Sequence, residues 1–510
     1  MSEERSQTEA PEHWTWCELG EIVSRMANGT TADQNKNGDG VPVSRIETIS
    51  DGSINFSKVR HIDSPPKDLV EKYRLQKGDI LLSHINTGLH LCKTGLYNHD
   101  ELLLHGMNLV LLRPKQEVVM PRFLDYLIDH YRRSGVFLSY AQHAVNQSSI
   151  NQKTLSDIEV ALPPLPEQRR IVAKIEELFS NLDAGMGELS VAEQQLERYR
   201  LSVLQAAVEG RLTADWRRTH APESADRLLE RILEERRAQW EKDYRAKYEA
   251  KGKDMPRYWK KRYKEAEEPK EDLQPQLPDG WCCASLQQVT VDKQTGLVRA
   301  IKDQTSKLED GRAPYIRMQH YDLMGRWNKE DLTYVQVEER DKEKYGLKAG
   351  DVLFNTRNSF KLVGKTAVWP EGKDGYVFNN NLLRLRFVRM VDPRWIALQM
   401  QSPAFQDQIR SSKSATTSIC AIYQKDMWPQ PISVPPLAEQ KQIVAEVERL
   451  LSVADDASAT TKQEQTRAER LRQSILKQAF SGNLVPHEDG DPVARANGKA
   501  APDMQMKIDL

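Results

Sequence analysis

The chain has 510 residues, with 73 Lys and Arg against 74 Asp and Glu, so it is too long for one ordinary domain and nearly neutral. That balance excludes a uniformly basic nucleic-acid-binding protein, and any such contact has to come from local patches. Five cysteines (Cys17, Cys92, Cys282, Cys283, Cys420) show neither paired nor zinc-ligand spacing, and no apolar run reaches the ~20 residues of a membrane span. With a polar, acidic start that lacks a signal-peptide pattern, the expectation is a soluble, cytoplasmic protein.

In chain order, residues 1–12 read as a disordered lead. A first globular block follows over 13–162. Its strands are predicted at 41–46, 79–83 and 108–113, and Pro121 opens a helix over 122–130. The phrase Pro163-Pro164-Leu165-Pro166-Glu167-Gln168 stops that block, because proline neither continues a strand nor sits inside a helix. It opens a long helix over 163–212. Ile171, Ile175, Leu178, Leu182, Gly185, Leu189, Ala192, Leu196, Tyr199 and Val203 step by four and three, the spacing of a heptad seam.

Residues 213–276 form a charged insert, read as one helix over 226–250 followed by a linker. Its basic aromatic run, 257–264, suits a solvated helix face better than a platform for nucleic-acid bases. A second block spans 277–434 and a second long helix 435–485, opened by Pro435-Pro436-Leu437-Ala438-Glu439-Gln440. Its seam, from Ile443 through Ala454, Leu471 and Ile475, is thinner. Residues 486–510 read as a flexible tail.

The second half repeats the first. A constant shift of 272 residues superposes the two proline phrases, Gly78-Asp79-Ile80-Leu81 on Gly350-Asp351-Val352-Leu353, Arg45 on Arg317, Asn86 on Asn358 and Lys93 on Lys365. Two repeats are too few for a solenoid and imply a pseudo-twofold molecule. The nearest partner for each heptad seam is the other long helix, in an antiparallel pair.

Catalytic and cofactor patterns are missing. Gly364-Lys365-Thr366 resembles the end of a phosphate loop, but Ser359 stands where the leading glycine belongs. Neither a nucleophile elbow nor a dinucleotide fingerprint is present, and no histidines or cysteines carry metal-ligand spacing, so no metal site is expected. The blocks offer paired polar loops after short strands instead: residues 83–88 with His84 and Asn86, and residues 355–360 with Asn355, Arg357 and Asn358. Such side chains read base edges, while Lys93, Arg113, Lys365 and Arg386 are candidates to hold phosphates, and Arg45 and Arg317 are further DNA-binding candidates. Residues 281–434 hold 23 Lys and Arg against 17 Asp and Glu, a local basic surplus suited to that role.

Over residues 13–485 the duplicated Pro-Pro-Leu-x-Glu-Gln leaders, the Gly-Asp-Ile/Val-Leu phrases and the helix ends at Gly210-Arg211-Leu212 and Gly482-Asn483-Leu484 resemble the specificity subunits of type I restriction-modification systems. The resemblance implies an α+β protein: two target recognition domains separated by two long helices forming an antiparallel coiled coil. It implies that each domain reads half of a split double-stranded DNA site and that the helices set the spacer. It also implies two methyltransferase subunits using S-adenosylmethionine, docked near Glu167, Gln168, Glu439 and Gln440, and restriction subunits using ATP and Mg. The chain itself would be non-catalytic and carry no cofactor. The charged insert departs from the minimal pattern. Two other readings compete: a coiled-coil scaffold that never touches DNA, and a self-contained nuclease or methyltransferase.

Overall fold

A computed structural model describes residues 10–50, 52–87, 90–143, 148–220, 224–328, 330–410, 414–415 and 419–488. Most of the expected lead and most of the expected tail lie outside the described residues, as does Gly88 of the first polar loop. The chain divides into two compact units, residues 1–191 with 461–510, and residues 192–460. The divisions fall inside the two long helices, Leu165–Val208 and Leu437–Phe480, each 44 residues. At 1.5 Å per residue each helix is roughly 66 Å long.

In the first unit, strand Thr15–Glu18 pairs antiparallel with Glu159–Leu162. The start and end of the block therefore meet, and Pro163 and Pro164 terminate the closing strand. The main sheet is antiparallel, in the order Val23–Asn28, Leu109–Pro114, Ile80–Ser83, Thr94–Leu96. Helix Pro121–Arg133 packs its apolar face (Phe123, Leu124, Leu127, Ile128) into the same core. A small sheet joins Ile85–Asn86, Ser148–Ser149 and Gln142–His143. The strand predicted from Val41 is shorter than expected, Val41–Val43, because the chain turns into a 3-10 helix at Ile46–Ile49.

The second unit repeats this plan. Cys282–Ser285 pairs with Pro431–Val434, and the main sheet runs Thr290–Thr295, Leu382–Phe387, Val352–Asn355, Thr366–Val368. Even the bulge near the start of the outer strand recurs, between Val23 and Arg25 and between Thr290 and Asp292. The small sheet returns as Arg357–Asn358, Cys420–Ala421, Ser414–Ala415. The units differ elsewhere: a two-stranded piece in the first corresponds to four strands in the second, with Tyr315–Ile316 parallel to Val377–Phe378. The duplicated sequence thus encodes a duplicated frame with variable additions.

The long helices run antiparallel in both units. In the first, Ile171 and Ile175 share a core with Leu476, Ala479 and Phe480, and Asp183 pairs with Arg472. In the second, Leu204 and Ala207 share a core with Ile443, Val444 and Val447, while Glu193 meets Ser458. Each block thus packs on the start of one long helix and the end of the other. Full burial of an Ile such as Ile171 contributes about 2 kcal/mol. The heptad register drifts from expectation. Tyr199 and Leu471 are exposed, and Arg200 is buried in the pair, donating to the Ala454 carbonyl at 3.2 Å and Asp455 at 2.9 Å. A straight helix with 3.6 residues per turn loses phase against a 3.5 repeat over this length.

Both long helices end on a left-handed glycine, Gly210 with φ 69° and Gly482 with φ 70°. A Cβ on either would strike a proline ring, Pro278 at 2.7 Å or Pro11 at 2.0 Å. Those prolines open the two blocks through matching turns, Trp14 N–H to the Pro11 carbonyl and Trp281 N–H to the Pro278 carbonyl. In the insert, helix Ala225–Glu249 buries Leu228 and Ile232 in the second core. The basic aromatic run is mostly exposed, as expected, but forms a 3-10 turn, Trp259–Arg262, that lays two of its rings on that helix. Trp259 stacks on Trp240 and Tyr244, and Tyr263 accepts a hydrogen bond from Arg236 at 2.6 Å.

Candidate nucleic-acid interface

The main sheet of each block hands its strand Ile80–Ser83, or Val352–Asn355, directly to the first strand of the small sheet. The small sheets superpose by the 272-residue shift, so His84 and Asn86 stand where Thr356 and Asn358 stand. Arg357 is exposed, and Asn86 and Asn358 are half-buried. Asn86 and Asn358 each accept the following backbone N–H through Oδ1 at 2.8 Å, and Asn358 also donates to the Asn355 side chain at 3.0 Å. These bonds fix the amides against the backbone. Burial pushes the His84 imidazole below its ordinary range, which keeps it neutral near pH 7 with one ring nitrogen as an acceptor. Its Nδ1 is buried and makes no hydrogen bond among the described residues.

Arg45 and Arg317 occupy a second matched position, each just ahead of a 3-10 turn, Ile46–Ile49 or Met318–His320. Lys93 and Lys365 fasten those turns. Lys93 donates to the Ser50 carbonyl, and Lys365 donates to the Met318 and Tyr321 carbonyls at 2.6 and 2.7 Å. Lys365 is buried, and burial lowers its pKa.

Four of the candidate DNA-contacting residues have partners within their own block. Arg113 forks onto Asp79 at 2.7 and 2.8 Å, and Arg386 onto Asp351 at 2.5 and 3.0 Å. Each pair ties the Gly-Asp phrase to the neighbouring strand, and the same aspartates take the backbone N–H of Gln76 and Lys348. Each guanidinium is half-buried and pairs with one buried carboxylate. Lys365 is committed to carbonyls, and buried Asn355 donates to the carbonyls of Arg357 and Asn381. Arg45, His84, Asn86, Arg317, Arg357 and Asn358 remain at the surface or half-buried, and half-buried Lys93 is partly engaged.

Glu167, Gln168, Glu439 and Gln440 are also interior, so the expectation that their side chains form a docking surface is corrected. Gln168 accepts Met120 N–H at 2.8 Å and donates to Val118 and Pro163 carbonyls. Gln440 does the same with Asp392 N–H at 2.7 Å and the Met390 and Pro435 carbonyls. Glu167 and Glu439 each accept an indole N–H at 3.0 Å, from Trp14 and Trp281. The leader phrase locks each block to its helix. Sequence reading placed the phrase but missed its partners, which lie tens to hundreds of residues away. The indole partners had a signal, the Trp that opens each repeat.

Among the described residues no helix is long and apolar enough to cross a membrane. All five cysteines are free, and burial pushes the Cys17, Cys92 and Cys282 thiols up to about 12, where they are inert.

A family model described as "Type I restriction modification DNA specificity domain" matches residues 11–191 and 295–468. The putative type I restriction enzyme MjaX specificity subunit of Methanocaldococcus jannaschii is 47% identical over 175 residues, 34% of this chain and 41% of that protein. That match thus spans less than half of the relative. The Escherichia coli K12 EcoKI specificity subunit is 23% identical over 506 residues, covering 96% of this chain and 94% of the relative. A solved chain from work on complex assembly and conformational transition of the type I R-M system superposes with a TM-score of 0.61 at 19% identity, covering 93% of this chain and 99% of that one. With the duplicated frame, the two leader phrases and the paired long helices, these likenesses show that the chain belongs to the type I restriction-modification DNA specificity family.

Proposed function

We propose that each block is a target recognition domain reading one half of a split double-stranded DNA site. As a member of its family the chain is a non-catalytic DNA-specificity subunit. The observation that carries the two-reader proposal is the matched small sheet: one frame in both blocks, with different side chains on it. His84 and Asn86 in one block, and Arg357 and Asn358 in the other, would face different base edges, Arg pairing with guanine and Asn with adenine. Arg45 and Arg317, on turns held by Lys93 and Lys365, would contact backbone phosphates and set register. The antiparallel helices would set the spacer between half-sites. Methyltransferase subunits using S-adenosylmethionine would dock beside the helix starts, where Arg169 and Lys441 are exposed, and direct adenine N6 methylation. Restriction subunits using ATP and Mg would complete the complex in the cytoplasm.

Arg357→Ala and Asn358→Ala test the reading in the assembled complex. Long-read methylome sequencing is expected to show relaxed specificity at one half-site, with the other half unchanged. Loss of a base-specific contact corresponds to about 1–3 kcal/mol of discrimination. A methylated motif unchanged in both halves would count against these loops as readers. Salt-dependent, sequence-selective DNA binding by the complex separates this function from a scaffold without DNA readout.

A further inference from the structure

The two repeats bury the same glutamate and compensate it differently. Glu439 is met by a fixed cation. Arg217, seven residues beyond the helix-ending Gly210, contacts its Oε1 at 2.5 Å, and Thr213 donates to the same oxygen at 2.7 Å. Glu167 is 1% exposed and is met by two imidazoles instead. His13 Nε2 lies 2.9 Å from Oε2, and His487 Nδ1 lies 3.7 Å from the same oxygen. His13 stands at the place of Gly280 in the repeated turn, and His487 lies five residues after Gly482, where Arg217 lies seven after Gly210.

The two rings are 4.0 Å apart between centroids. Both imidazoles approach the same oxygen of one buried carboxylate, so three ligand atoms of metal-binding type converge on one point. A divalent metal ion fits that donor set, since it takes neutral imidazoles and an ionised carboxylate together. The three ligand atoms lie within 4.8 Å of one another, so small side-chain movements bring them onto one ion with bonds of about 2.0–2.2 Å. The Trp14 indole N–H holds the other oxygen, Oε1, at 3.0 Å. That contact leaves Oε2 on the imidazole side, the arrangement by which outer partners orient a metal ligand.

We propose that His13, Glu167 and His487 bind one divalent transition metal ion of the zinc class, with a fourth position open to water. The ion fastens the segment after the second long helix to the entrance of the first block. In the second repeat Arg217 does the equivalent with a charge that cannot leave. The closure of the first unit is thereby metal-dependent and that of the second is not.

The test uses the full-length chain stripped of metal by chelator and titrated with Co²⁺ and then Zn²⁺. The expected result is one Co²⁺ per chain with the visible bands of a four-coordinate site, displaced by one equivalent of Zn²⁺, and a rise in Tm with Zn²⁺. His13→Ala and His487→Ala are each expected to weaken that site at least tenfold. His487 is at the surface, so its replacement leaves the core intact and keeps the test informative if His13→Ala folds poorly. If His487→Ala binds Co²⁺ with the stoichiometry, affinity and spectrum of the unaltered chain, or if neither binds, the proposal is overturned. The triad is then a metal-free histidine–carboxylate cluster.

Discussion

A carboxylate taken out of water needs donors or a cation, and at Glu439 the cation is Arg217. Removing one partner of a buried pair leaves the other charged and unpaired, at a cost of about 3–5 kcal/mol. Arg217→Ala is therefore expected to lower the urea midpoint of the second unit's transition by that order, whereas substitution of exposed Arg218 leaves it within about 0.5 kcal/mol. Equal effects from the two variants would contradict the assignment. His105 gives a pH signature. Its Nε2–H donates to the Leu109 carbonyl at 3.1 Å, and burial pushes its pKa from 6.5 down to about 4. Between those values the unfolded chain binds a proton that the folded chain refuses. Its contribution is thus fully present above pH 6.5 and is lost as pH falls toward 4, up to roughly 3 kcal/mol. Asp125, pushed up to about 6 by burial, acts in the opposite direction. His105→Gln keeps a donor for Leu109 and is expected to flatten the fall in urea midpoint between pH 7 and 4.5; an unchanged slope would contradict this role. At this scale the sequence was least legible. It displayed Arg113, Arg386 and Lys365 as cations, but only the folded neighbourhood shows their charges spent on Asp79, Asp351 and backbone carbonyls.

Elements were more legible, because periodicity and proline placement are local. The leaders, the long helices and the Gly-Asp strands stand where the pattern put them, within a few residues. The helix seam was less accurate. A strict four–three count put Ala454, Tyr199 and Leu471 inside; Ala454 is buried there, but Tyr199 and Leu471 are exposed and Arg200 is buried instead. The added strands of the second block, such as Gln304–Thr305 and Val377–Phe378, had no strand at the matching place in the first repeat to reveal them. The helix ends carry a prediction. Gly210→Ala and Gly482→Ala force an L-residue into a left-handed conformation and against a proline ring. Each is expected to lower stability by more than about 1 kcal/mol, seen as a fall in Tm, while Gly185→Ala, in open space on the first long helix, is expected to raise it slightly. A loss of stability in Gly185→Ala equal to that in Gly210→Ala would contradict the packing account.

For the whole molecule, duplication was the most legible feature, since a constant 272-residue shift over two blocks leaves little alternative to a repeated frame. The bases recognised were not legible, because loop geometry decides which side chain meets which edge. If the long helices set the spacer, inserting four residues near Ala192 is expected to change the number of bases between half-sites and leave both half-sites intact. A methylome with the old spacer at full methylation would remove that role. The central claim, that the two blocks read independently, is tested most directly by replacing residues 281–434 with the equivalent block of a relative and sequencing the methylome of the host. The account predicts a methylated motif altered in one half only, with the other half and the spacer retained. A motif altered in both halves, or in neither, would contradict it.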